Sequence, residues 1–391
     1  MSLVNTKPVY KKHLRLIMAV IVILFGLVCH HHPTLASDSA TQNFIHVNGT
    51  HLLLAGKNFV PRGINHFDFP TLWVSTSTQP SSTWITENDF ATFQKAGFNS
   101  VRLAVKTDYF QNPNPPHQFF ENGFKWLNNI ILMAKGHNIR LVIDMHMPTG
   151  GASQDFRITD KNQIFWNDPW LKGRFIDTWR EIARRYADEP AIWAYDIMNE
   201  PATWDFEAYK QLMLHTVSAI RSKDQNHILV IQPGMRMVDN QALFAYPQID
   251  DKNIVRSVHF YDPIEFTHQN VYWGINGKNV ISNYPATSST GNPAWNASKI
   301  LQALTQAYQK AEPDKYPVVL FEFGTVFQKI NTGQPLWINN VVEAAKHLNI
   351  GWHYWYYKGP AYIGEMGLRT KYGILRPITW KFLTIQAHSY E

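Results

Sequence analysis

Two glutamates, Glu200 and Glu322, each stand where an apolar, strand-like run ends. Glu200 follows Trp193–Met198 within Asn199-Glu200-Pro201. Glu322 lies within Leu320-Phe321-Glu322-Phe323-Gly324. An acid and a carboxylate that face each other can cleave a glycosidic bond: one protonates the leaving oxygen, the other attacks the anomeric carbon. Retention needs about 5–5.5 Å between them and inversion about 6.5–9.5 Å, so chain spacing alone leaves that choice open. Two such acids cannot both ionise cheaply, so one should hold a proton near neutral pH. Other apolar runs also end on residues that can do chemistry: Arg102, Asp144-Met145-His146, His259-Phe260-Tyr261 and Trp355. Ionisable groups there are costly unless paired or used. Asp144 and Asp196 are expected to face interior partners. His66, Asp68, Trp73, Trp204, Trp273 and Trp295 are candidate sugar contacts or loop packing.

Eight apolar runs position these residues: Phe59–Ile64, Ser100–Leu103, Arg140–Met145, Trp193–Met198, His227–Ile231, Ile254–Phe260, Val318–Phe323 and Gly351–Trp355. Each run is expected to be followed by a longer segment with helical spacing. This spacing predicts helices at Glu87–Ala96, Phe120–Lys135, Trp170–Tyr186, Phe206–Ile220, Ala297–Ala311, Leu336–Leu348 and Trp380–Ala387, with Gly97 and Gly136 as C-caps of the first two. Strands that alternate with helices pair in parallel, and near-continuous apolar strands are buried on both faces. The fold class is therefore α/β, a (β/α)₈ TIM barrel, whose strand ends form one rim and whose C-terminal face carries function. Phe44–Leu54 is expected to add a short N-terminal β-hairpin turning at Asn48-Gly49. Residues 262–296 are expected to form a long loop on the active face. No G-x-G-x-x-G follows the first strand, which argues against dinucleotide binding.

Residues 1–36 have the anatomy of a signal peptide: Lys7, Lys11, Lys12 and Arg15, then the uncharged run Leu16–Cys29, then Thr34-Leu35-Ala36. The run is short for a membrane span, so secretion or periplasmic export is expected, with an uncleaved anchor as the alternative. Residues 37–43 are expected to be a disordered linker and 44–391 the catalytic domain. The chain has 36 basic and 30 acidic residues, and the signal holds four of the bases, leaving 32 against 30. That balance offers no electrostatic case for nucleic acid. The single cysteine, Cys29, lies in the signal, so stability must come from the core.

Asn-Glu-Pro, an upstream Arg, a His-x-Tyr pair and a later Glu-x-Gly occur in barrel order. This set resembles glycoside hydrolase family 5, the cellulase-like family of the four/seven barrel superfamily, from about the first strand to Trp355. The resemblance implies a secreted retaining endo-β-glycanase with a polysaccharide or oligosaccharide substrate, no cofactor and no metal. It implies Glu200 as acid/base and Glu322 as nucleophile. It implies Asn199 on the sugar 2-hydroxyl, Arg102 and Tyr261 beside the nucleophile, His146 and His259 in the cleft, and Trp355 as the platform under the cleaved sugar. With Arg102 and Tyr261 favouring the Glu322 anion, Glu200 should hold the proton. An exo-acting β-glycosidase, a β-mannanase and a non-catalytic carbohydrate-binding barrel remain as alternatives. A metal-dependent hydrolase is disfavoured, because the chain after Ala36 has neither His-x-His nor His-Glu-x-x-His. A monomer without stable membrane association is expected once the signal is cleaved.

Overall fold

Eight parallel strands close a barrel in the order the chain lays them down. They are β4 (Arg62–Phe67), β5 (Ser100–Lys106), β6 (Arg140–Met147), β7 (Ile192–Asp196), β8 (Ile228–Ile231), β11 (Ile254–His259), β12 (Val318–Phe323) and β13 (Gly351–Tyr354). The computed structural model describes residues 43–68, 72, 78–151, 163–238, 241–269, 281, 283–286, 294–327, 332–359, 366–369 and 375–388. The expected signal, the linker apart from Asn43, Trp73 and Trp273 lie outside the described residues. Phe44–Glu391 forms one compact unit.

The helices follow their predicted ranges within a few residues: α1 (Glu87–Lys95), α2 (Glu121–Gly136), α4 (Pro169–Tyr186), α5 (Phe206–Arg221), α7 (Ala297–Lys310), α8 (Gln334–His347) and α9 (Pro377–His388). Short helices α3 (Gln163–Asn167) and α6 (Ile264–Thr267) lie in rim loops. Three local expectations are corrected. The first barrel strand starts at Arg62, because Pro61 has no N–H to give the ladder; its carbonyl instead accepts from Trp352 N at 2.8 Å. Helix α2 runs through Gly136, and the left-handed residue that ends it is Asn138, φ +53°. Between β8 and β11 the described residues carry no helix. An antiparallel hairpin, β9 (Gly234–Val238) and β10 (Gln241–Ala245), takes that place. Beside it the buried Arg256 guanidinium lies 4.5 Å from the Tyr246 ring and 4.4 Å from the Tyr316 ring, covering the outer barrel wall.

The N-terminal element is a three-stranded antiparallel sheet, β1 (His46–Asn48), β2 (His51–Leu54) and β3 (Lys57–Asn58). Asn48 pairs with His51, so the tight turn is Gly49-Thr50, one residue later than expected. Gly49 has φ +61°, which suits the first central position of such a turn. Ile45 and Leu52 of this region pack on Val142, Ala194, Val230 and Val319, closing the barrel bottom. Above them the rings of Trp193, Phe321 and His353 stack in series, at 6.0 and 5.1 Å between centroids. Ser100 Oγ ties the two ends of this stack, 3.0 Å from Trp193 Nε1 and 2.8 Å from His353 Nε2.

Candidate active site

Directly above the ring stack lies Arg102, fully buried, its guanidinium 6.0 Å from the Phe321 centroid. It donates Nη1 to Glu322 Oε1 at 2.5 Å and to Asn65 Oδ1 at 3.0 Å, Nε to Asp196 Oδ2 at 2.8 Å and Nη2 to Asn199 Oδ1 at 2.8 Å. Asp144 Oδ1 lies 3.0 Å from Nη2. One positive charge thus faces three carboxylates. Burial pushes Asp144 up to about 7 and Asp196 up to about 6, although Arg102 pulls both down. Asp144 and Asp196 face interior partners, as expected. Replacing Arg102 with Met would leave these acids buried without a counter-charge. The expected cost is about 3–5 kcal/mol, read as a lower midpoint in urea.

A bulge aims Glu322. Its predecessor Phe321 already points into the barrel, so strict alternation would turn Glu322 outward. The register slips around it: Val258 pairs Leu320 and His259 pairs Glu322, while on the other side Leu320 pairs Trp352 and Phe323 pairs Tyr354. The extra residue brings Phe321 and Glu322 to the same side. The second Glu322 oxygen accepts from Tyr261 OH at 2.9 Å. Gly324 follows because a Cβ there would stand 2.5 Å from the Trp355 carbonyl oxygen. Trp355 is partly exposed and parallel to His146, 9° between planes and 5.1 Å between centroids. The Trp355–Tyr356 peptide bond is cis.

Glu200 sits four residues past the end of β7, so the fourth strand stops earlier than the apolar run suggests. Its φ is +41°, uncommon for a residue with a Cβ. Gln232 holds this turn: its Oε1 accepts from Glu200 N at 2.8 Å, and its Nε2 donates to both Asp196 oxygens. The Glu200 side chain is 24% exposed, and its Oε1 lies 2.7 Å from His259 Nδ1. Burial raises its carboxyl above the usual value of 4.5, partly opposed by His146 and Arg102. Burial lowers His146 and His259 to about 4, so both imidazoles are neutral near pH 7. His146 Nδ1 pairs with Asp144 Oδ2 at 2.8 Å, and its Nε2 lies 3.4 Å from Asn199 Nδ2.

The eight residues to which the resemblance gives roles are therefore joined in one contact network. The family description "Cellulase (glycosyl hydrolase family 5)" matches residues 54–361. This chain belongs to glycosyl hydrolase family 5. It is a glycoside hydrolase acting on O-glycosyl bonds. This family 5 hydrolase is 28% identical over 309 residues to endoglucanase C of Acetivibrio thermocellus, a match covering 73% of this chain and 89% of the relative. It is 26% identical over 205 residues to cellodextrinase A of Ruminococcus flavefaciens, covering 51% of this chain and 59% of that one. Its fold matches endoglucanase Cel5A from the hyperthermophilic Thermotoga maritima with TM-score 0.64 at 22% identity, covering 83% and 96% of the two chains.

Two members of the site were not singled out in the sequence: Asn65 and Gln232. Asn65 holds Phe321 O and Tyr354 O as well as Arg102. Gln232 directly follows β8, but Asn65 and Arg102 lie inside their strands: β4 runs to Phe67 and β5 to Lys106, past the ends expected at Ile64 and at Arg102-Leu103. Donor atoms of Glu200, His259 and Glu322 lie within 4.8 Å of one another, a spacing that admits a metal ion. Three of the four carboxylate oxygens have protein partners: His259 at Glu200 Oε1, and Arg102 and Tyr261 at Glu322. Of the other sugar-contact candidates, His66 is buried against Phe93 and Tyr357, 3.6 Å from Asp89. Trp295 packs against the core and Asp68 is buried. Trp204 is 55% exposed.

Proposed function

We propose that this hydrolase is a secreted, retaining endo-β-glycanase acting on β-1,4-glucan, with Glu322 as nucleophile and Glu200 as acid/base. The observation that carries the reading is the separation of the two acids. One oxygen of Glu200 and one of Glu322 lie within 4.8 Å of each other, an approach that suits the about 5–5.5 Å between the carboxyl groups of retaining enzymes better than the about 6.5–9.5 Å of inverting ones.

Glu322 bonds to the anomeric carbon as the carbon–oxygen bond to the leaving sugar breaks. The Glu200 proton goes to the leaving oxygen. A water then attacks the same carbon, gives its proton to Glu200 and frees Glu322. Arg102 and Tyr261 hold the two Glu322 oxygens, which fixes the direction of attack. His259 Nε2 is buried without a partner, so the ring's single proton belongs on Nδ1, donated to Glu200 Oε1. That leaves Oε2 to carry the catalytic proton. Arg102 fixes Asn199 Oδ1, which leaves the Nδ2 hydrogens for His146 and the sugar 2-hydroxyl. Trp355 offers its face beneath the cleaved sugar.

The endo preference is supported by the names of the relatives, endoglucanase C and the Cel5A endoglucanase. The export reading rests on residues 1–36 of the sequence. The test is the action of the mature chain on carboxymethyl-cellulose beside mannan, xylan and aryl β-glycosides. The expected result is a fall in viscosity on the β-glucan before much reducing sugar appears. Sugar release without loss of viscosity would replace the endo reading with an exo one.

A further inference from the structure

Glu200 marks the side of the cleft from which the leaving sugar departs, since it protonates the leaving oxygen. Trp355, just past the end of β13, packs against Phe67 of β4 and His146 of β6, at 5.7 and 5.1 Å between ring centroids. Trp204 is 55% exposed in the segment that joins Glu200 to helix α5, and Trp170 is 50% exposed in the first turn of α4. Both helices begin at the C-terminal rim, because a helix that follows a barrel strand runs back antiparallel to it.

Trp204 is held outward by its neighbours. Ala202 and Thr203 before it are buried. Asp205 after it caps α5, accepting from Glu207 N at 3.0 Å and Ala208 N at 3.2 Å. Thr203 Oγ1 accepts from Asp205 N at 3.0 Å, closing a tight turn with Trp204 at its tip. The next aromatic, Phe206, turns the other way and packs on Tyr209 at 6.0 Å. A rigid turn thus presents an indole to solvent four residues from the general acid. Such a ring is a platform for the apolar face of a pyranose.

We propose that Trp204 is a specificity-determining residue that stacks on a leaving-side glucosyl unit of a bound β-glucan. This rests on the acid/base role of Glu200 given above. The chemistry it selects is a leaving group that is itself a sugar chain, as against a small aryl group that does not reach the platform.

The test compares Trp204→Ala, Trp204→Phe and the parent chain on cellohexaose and on an aryl β-cellobioside. The expected result is a loss of kcat/KM in Trp204→Ala that is about tenfold larger on cellohexaose than on the aryl glycoside, mostly restored by Phe. Equal losses on the two substrates, or no loss on either, would overturn the proposal. If the parent chain hydrolyses neither substrate, the proposed function falls and takes this inference with it. Parent activity on both, with no selective loss in the variant, removes Trp204 alone.

Discussion

Replacing Glu322 with Gln should lower kcat by on the order of 10⁴- to 10⁶-fold on any β-glycoside the chain cleaves. Gln keeps the shape of the side chain and a carbonyl oxygen for Arg102 or Tyr261 to donate to, but the amide cannot form the glycosyl ester. The loss should reach aryl glycosides as fully as polymers, because every route to product passes through the same carbon–oxygen bond. Folding should survive, since Arg102 keeps Asp144 and Asp196 as charged or hydrogen-bonded neighbours. The check is kcat on an aryl β-cellobioside with circular dichroism as the folding control. A folded Glu322→Gln protein with more than a tenth of the parent rate would remove the nucleophile assignment.

Replacing Glu200 with Gln should give a different pattern. On a glucan, where the leaving oxygen must be protonated, the rate should fall about 10²- to 10⁴-fold. On an aryl glycoside with a strongly acidic phenol, the first step scarcely needs that proton and should stay fast. The second step lacks its base, so the glycosyl-enzyme accumulates, giving a burst of phenol equal to the enzyme present and a lower KM. The pH dependence should change in the same way. Burial raises the Glu200 carboxyl above 4.5, so the protonated form persists above the usual range and is lost as pH climbs through the raised value. The parent rate on glucan should fall along that alkaline limb. The burst step of the Glu200→Gln protein should not. A loss of the same size for good and poor leaving groups would contradict the acid/base role.

The barrel was legible because its signal is redundant: eight apolar runs, most separated by helical periodicity, admit few other arrangements. Registers were less legible. Pro61 delays β4 to Arg62, and with the first strand read from Phe59 its inward polar residue, Asn65, fell beyond the expected end. Gln232 follows the fifth apolar run directly, and no polar residue was assigned to that run's end. The antiparallel pair β9–β10 stands where strand–helix alternation leads to the expectation of a helix, although no helix is assigned between the fifth and sixth strands. Two features of the site come from geometry that residue types do not encode. One is the bulge that turns Glu322 inward behind Phe321. The other is the positive φ of Glu200. Both are held by partners distant in sequence, Arg102 at the Glu322 carboxylate and Gln232 at the Glu200 backbone.

Direct attack by Glu322 requires the two acids to lie close together. The most direct measurement is proton NMR of the sugar first released from a β-glucan oligosaccharide, recorded before the anomers equilibrate. Double displacement predicts that the β-anomer appears first and the α-anomer grows in later. First appearance of the α-anomer would mean a water attacks in a single step, and Glu322 would then be a base rather than a nucleophile.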